Sequence, residues 1–159
     1  MMLAGLKVVE MGQNLAGPYG SQILADLGAN VIKVERPTGD DARGWGNNVT
    51  DNATTMFMTM NRNKKSVTVD MKCEKGRARM RTLLADADIF LHNMRPGSLE
   101  KLGLDPAAVR AKWPRLIYCD IGAFGHIGPL KDQPGYEPLM QAYGGLISIN
   151  GHPDGPVAR

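Results

Sequence analysis

The chain has 159 residues, of which 43% are hydrophobic and 22% charged, a balance suited to one globular unit with an ordinary core. A formal net charge of +3 falls short of the concentrated basic face that nucleic acid requires and fits a small anionic ligand. No run of about 20 apolar residues is present to span a membrane, and the start, MMLAGLKVVEMG, lacks the regions of a signal peptide, so a cytoplasmic protein is expected.

Leu6 to Met11 (LKVVEM) is a short apolar run ending at Gly12 and reads as a buried strand. Pro18 is placed to open a helix, with Tyr19, Ile23 and Leu27 at helical spacing and Gly28 as the stop. NVIKVE, from Asn30 to Glu35, is the next strand, and this β-α-β unit predicts a parallel pair. Thr38 to Thr55 is polar and reads as a long loop. SVTVDM follows as a strand, with Val67 and Val69 on one side and Ser66, Thr68 and Asp70 on the other. Glu74 to Ala87 is an amphipathic helix carrying Met80, Leu83, Leu84 and Ala87 on one face.

DIFLHN is a further strand, and Pro96 and Gly103 bracket a short helix around Leu99 and Leu102. Asp105 and Pro106 form a cap and first position for a helix reaching Lys112, and RLIYCDI is the fourth strong strand. A glycine–proline loop leads to a helix from Glu137 toward Ile149, weakened at Gly144-Gly145, and the final NGHPDGPVAR is turn chemistry. Strands alternating with helices predict an α/β fold: a Rossmann-like, mainly parallel sheet with flanking helices. Cys73 and Cys119 read as free, largely buried thiols in a reducing compartment. His92, His126 and His152 show no metal-ligand spacing, so no metal is expected.

Ligands of open parallel sheets bind outside the carboxyl ends of the strands. The first turn, GQNLAGP, is not GxGxxG, which disfavours a nicotinamide dinucleotide, and no GxxxxGK[ST] exists. The positive charge remains to be explained. Arg36, Arg62, Lys64, Lys65, Lys72, Arg95 and Lys101 converge on one rim if the strands are parallel, and a ligand with several phosphates would use several cations. Solvated surface charge is the competing reading, because charge clusters at strand ends are common.

GLKVVEMGQNLAGPYGSQILADLGANVIKVERPTGDDARGWG resembles the opening of the family III CoA-transferases, the group that includes formyl-CoA transferase and the carnitine CoA-transferases. NRNKKSVTVDMK, HNMRPGSLEKLGL, RLIYCDIGAFGHIGP and QPGYEPLMQAYGGL resemble that family's next blocks in the same order, so the likeness covers essentially the whole chain. The resemblance implies that the anion is coenzyme A, with its diphosphate and 3′-phosphate. It places CoA contacts at Leu15, Ala16, Arg36, Val69, Asp70, Met71, Lys72, Asn93, Met94, Arg95 and Lys101. Lys101 is often arginine in relatives. Leu15 and Ala16 would act through backbone and shape, with simple turn packing as the rival role. For Arg62, Lys64 and Lys65 the rival is a salt bridge to the protein's own acids.

The same resemblance implies transfer of CoA from an acyl-CoA to a carboxylic acid acceptor by covalent catalysis. An aspartate attacks the thioester to give a mixed anhydride, the released thiolate returns to form an aspartyl-CoA thioester, and the acceptor carboxylate takes the CoA. That aspartate is expected beyond Arg159, and Asp154 is not its counterpart. The chain, residues 1–159, is therefore expected to be the N-terminal part of the large CoA-binding domain, without the small domain and C-terminal return segment of a full-length homodimer. Exposed sheet edges and apolar helix faces are then expected. Glu137 is implied as an auxiliary acid near the reacting carboxylate, with a helix-start acid as the plain alternative. Tyr136 stands where the related α-methylacyl-CoA racemases carry histidine, which favours transferase. A racemase-like enzyme and a non-catalytic CoA-binding or subunit-interaction fragment are the two rivals.

Overall fold

The structure is a computed structural model and describes residues 1–156. The single globular unit expected from length divides into two compact units, one ending at Ile121 and the other beginning at Gly122. The division falls at the start of the glycine–proline loop. Among the described residues no helix is long and apolar enough to cross a membrane.

The first unit holds β1 (Lys7–Met11), α1 (Ala16–Asp26), β2 (Asn30–Glu35), β3 (Asn48–Thr50), β4 (Ala53–Thr54), α2 (Thr55–Asn61), β5 (Lys64–Thr68), α3 (Glu74–Ala85), β6 (Ile89–His92), α4 (Pro106–Lys112) and β7 (Ile117–Asp120). Short 3-10 turns occupy Asp41–Gly44 and Glu100–Leu102. Five strands form one sheet in the order β5-β2-β1-β6-β7, with every neighbouring pair parallel. The α/β class and parallel sheet expected from the alternation are those observed. The polar stretch from Thr38 is more structured than a loop: it contains a 3-10 turn, the β3–β4 hairpin and the threonine that caps α2. Strand β5 begins earlier than SVTVDM suggested, because Lys64 and Lys65 pair with Val31 and Ile32.

Alternation along the strands divides the core. Val9, Val34, Val69 and Phe90 pack with Met80, Leu84, Leu99, Leu104 and Val109 on one face of the sheet. Val8 and Val31 pack with Ala25 and Ala29 on the other. Burying a Val, Leu, Phe or Met of this kind contributes about 1.5–3 kcal/mol. Asp105 caps α4 by accepting from Ala107 and Ala108 N–H, with Pro106 in the first turn, as its sequence requires.

Helix α1 departs from its expected register. It starts at Ala16, so Pro18 lies inside the first turn. Its buried face is Gly17, Pro18, Ser21, Gln22 and Ala25, whereas Leu15, Tyr19, Ile23 and Leu27 form an exposed stripe. Close approach dictates this choice. A Cβ at Gly17 would stand 2.8 Å from Asn93 Oδ1 and 3.1 Å from Gly12 Cα, so only small residues fit against the sheet.

The second unit contains α5 (Glu137–Tyr143) and a 3-10 turn at Leu146–Ser148. Gly145, with φ +79, ends the helix that the sequence carried toward Ile149. Phe124 and Tyr143 meet edge to face, 5.2 Å between ring centres.

Candidate functional site

At the carboxyl end of the sheet, the β1–α1 turn and the segments after β2 and β5 enclose a cavity of about 380 Å³ together with Met94 and Leu102. Its volume lies in the range of small-molecule sites, roughly 300–1,000 Å³. Val34, Val69, Met71 and Met94 supply apolar lining, and Arg36, Asp70 and Lys72 supply charge.

The segment after β2 is anchored from below. Arg36 to Gly39 turns tightly, with Gly39 N–H donating to the Arg36 carbonyl at 2.8 Å and Gly39 at φ +77, where a side chain would be strained. Asp40 then caps the 3-10 turn, its Oδ1 accepting from Ala42 N–H at 3.0 Å and from Asn14 N–H at 2.9 Å. Its other oxygen meets Lys33 Nζ at 2.8 Å, where both side chains are 1% exposed. Lys33 also donates to the Gly12 carbonyl at 3.1 Å and stands 3.4 Å from Glu10. Lys64 completes the group by donating to the Pro18 carbonyl at 2.7 Å and approaching Glu10 at 3.4 Å. Two carboxylates and two ammonium groups thus balance under the turn, as buried charges must. Burial, reinforced by the charge of Lys33, lowers Lys64 to about 8 against the pull of Glu10 and Asp40.

Glu35 forms a second buried anchor. Arg43 donates to both its oxygens at 2.7 Å, Ser66 donates its hydroxyl, and Asp40 N–H donates at 3.1 Å. Burial pushes this carboxyl up, but the four donors outweigh it and hold Glu35 at about 2. The Arg43 guanidinium also lies 3.7 Å from the centre of the Phe57 ring.

These anchors consume the donors of the first turn. Gly12 N–H donates to Glu10, Gln13 N–H to Asn93 Oδ1 at 2.9 Å, and Asn14 N–H to Asp40. Asn93 returns a bond from Nδ2 to the Gln13 carbonyl at 3.0 Å. In a dinucleotide-binding fold the corresponding turn offers its N–H groups to a pyrophosphate. Here those three are spent inside the protein, and the cations on the cavity lining are Arg36 and Lys72.

The segment after β5 is fixed by a different device. Val69 N–H extends the ladder to the Glu35 carbonyl at 2.8 Å, and Asp70 Oδ1 accepts from Lys72 N–H at 2.9 Å. Arg77 reaches back from α3 to the carbonyls of Met71 and Lys72 at 3.2 and 3.0 Å. Gly76 lets the helix approach: a Cβ there would fall 1.8 Å from the Asp70 carbonyl oxygen.

Of the residues expected in the site, the cavity brings together Arg36, Val69, Asp70, Met71, Lys72 and Met94. Leu15 and Ala16 are exposed at the start of α1 and do not line it; Asn93 is engaged with Gln13. Arg95 and Lys101 are exposed beside the lining residues Met94 and Leu102. Glu137 opens α5 in the second unit, where it accepts from Gln141.

The expected convergence of all seven cations is corrected. Arg62, Lys64 and Lys65 belong to the amino end of β5, because a parallel strand presents its two ends to opposite rims. Arg62 pairs with Asp26, and Lys64 with Glu10. Cys73 is likewise exposed, at the cap of α3 rather than in the core. Beside the cavity strands, buried His92 contacts the Tyr118 hydroxyl at 2.8 Å, and that hydroxyl donates to the Leu104 carbonyl at 2.9 Å.

Sequence reasoning missed Glu10, Lys33, Glu35, Asp40, Arg43 and Arg77. A signal was present for the first two, since a charged residue inside an apolar strand of a parallel sheet must find a partner indoors.

A parallel α/β sheet thus carries a partly apolar, cation-edged cavity at its carboxyl end. The chain belongs to CoA-transferase family III, whose model matches residues 3–159. It is 42% identical over 160 residues to a succinate–glutarate CoA-transferase of Agrobacterium fabrum, covering 96% of this chain and 40% of that protein. Identity to a succinyl-CoA–D-citramalate CoA-transferase of Chloroflexus aurantiacus is 41% over 158 residues, or 99% of this chain and 39% of the relative. The crystal structure of a CAIB/BAIF family protein from Brucella suis superposes with a TM-score of 0.93 at 44% identity, covering 99% of this chain and 43% of that one. The chain thus spans about 40% of the length of the first of these relatives.

Proposed function

We propose that this chain supplies the CoA-binding part of the large domain of an acyl-CoA:carboxylate CoA-transferase. The observation that carries the reading is the cavity wall itself. Arg36 and Lys72, on the segments after β2 and β5, border one space in which the acids Asp40 and Glu35 are already paired with Lys33 and Arg43. Guanidinium and ammonium groups there suit a phosphorylated ligand by charge and by directed hydrogen bonds. Arg95 and Lys101, next to lining residues, extend the same basic rim, and Asn93, Met94, Leu15 and Ala16 complete the proposed contacts.

The cavity's own acids are poor nucleophiles. Asp40 is buried in an ion pair, Glu35 is held by four donors, and Asp70 caps the turn that carries Lys72. The reading therefore assigns the aspartyl-CoA thioester to an aspartate outside this cavity, Glu137 to an auxiliary place, and the working form to a cytoplasmic homodimer. The names of the two relatives point to succinyl-CoA and dicarboxylic acids, and we extend that substrate class to this protein.

Calorimetric titration of CoA against dephospho-CoA tests the ligand assignment. Tighter binding of CoA, reduced at least tenfold by Arg36→Met or Lys72→Met with the melting temperature unchanged, is expected. Equal and negligible binding of both ligands removes the assignment.

A further inference from the structure

Arg36 stands at the cavity already holding a carboxylate. Its Nη2 is paired with Asp41, and its Nε donates to the Gly39 carbonyl at 2.9 Å. Among the described residues Nη1 donates to no group in the protein. Glu35, the neighbouring acid, is saturated by Arg43, Ser66 and Asp40 N–H, and Arg36 pairs instead with Asp41. Asp41 is not free to swing away with the loop. It is the first residue of the 3-10 turn that Asp40 caps, and Asp40 is tied to buried Lys33. Asp41 lies outside the cavity lining, whereas Arg36 is part of it.

We propose that Asp41 is an internal competitor for the guanidinium of Arg36, which an incoming phosphate monoester must displace from Nη2 to take the Nη1–Nη2 fork. This rests on the reading of the cavity as a CoA site. A carboxylate carries one negative charge, while a phosphate monoester near neutral pH carries about 1.5 to 2 and offers three acceptor oxygens. The monoester therefore wins the fork of Arg36, and weaker anions do not. With Asp41 in place, a phosphorylated ribose gains less from Arg36 than the bare guanidinium would give, so Asp41 moderates the preference for this ligand over the one lacking that group. Asp41 acts through Arg36 and so sets specificity without touching the reacting atoms.

The test compares Asp41→Asn and Asp41→Ala with the parent chain, titrating CoA and dephospho-CoA at low and physiological salt. An exposed ion pair of this kind is worth up to a few-fold in affinity. Both variants are expected to bind CoA about two- to fivefold more tightly, with dephospho-CoA unchanged and the gain shrinking at higher salt. Unchanged or weaker CoA binding, in variants that melt with the parent, overturns the inference while a parent preference for CoA keeps the site reading intact. A parent that binds neither ligand overturns both.

Discussion

Glu10 and Lys33 are register partners across the β1–β2 ladder, fully buried, with their charged ends 3.4 Å apart. Removing one member of a buried pair leaves the other charge without compensation, at about 3–5 kcal/mol. Lys33→Met is expected to lose that much in urea unfolding. Lys33→Met combined with Asp40→Asn restores the charge balance and keeps a capping oxygen on the 3-10 turn, so it should recover part of the loss. Equal destabilisation by the single and double variants would show that charge is not what the cluster balances.

Glu35 makes acid stability specific to one group. Its carboxyl sits at about 2 in the folded chain against an ordinary value of 4.5. The stabilisation is complete above 4.5 and is lost as pH falls through to 2, because the unfolded chain binds the proton first. A shift of this size corresponds to roughly 3 kcal/mol. Glu35→Gln should flatten the stability profile across that window, measured by thermal melts at successive pH values. An unchanged slope would place the acid sensitivity elsewhere.

Gly76 and the Lys72 turn are expected to fail together. A methyl group at 76 collides with the Asp70 carbonyl oxygen, and such overpacking costs about 1–3 kcal/mol. Gly76→Ala should lower the melting temperature and weaken CoA binding more than Gly44→Ala, whose new methyl meets nothing within 4 Å. Normal CoA affinity in Gly76→Ala would separate the turn from the ligand.

Tyr118→Phe removes a hydroxyl that serves both His92 and the Leu104 carbonyl. Leaving buried partners unsatisfied costs about 1–3 kcal/mol. Burial, with the nearby charge of Asp120, raises the Tyr118 hydroxyl above its ordinary value, so it stays a donor across the working pH range. Hydrogen exchange at Leu104 and its neighbours should quicken in the variant, and unchanged exchange there would remove the bond's structural role.

The strands that carry apolar alternation were legible, and so was α4, whose Asp105-Pro106 start states its own boundary. Val67 was placed correctly because its side of β5 packs into the core. The register of α1 was not legible. Its apolar stripe obeys helical spacing, but the sheet accepts glycine, serine and alanine at that distance, which only Asn93 and Gly12 reveal. Arg36 and Lys72 were readable as cations after strands. Arg62 and Lys64 have the same composition, and only strand direction sends them to Asp26 and Glu10. Asp40 was unreadable because its partner Lys33 belongs to an interior strand position where charge is unexpected.

Asn93 clasps the backbone of Gln13 with one acceptor and one donor, using both ends of its amide. Conversion of that amide to an acid, the slow chemical ageing to which asparagine is prone, would keep the shape and erase the donor. The new carboxylate would face the Gln13 carbonyl oxygen, acceptor against acceptor. One atom exchanged by hydrolysis would thus turn one of the two bonds between the segments that follow β1 and β6 into a repulsion.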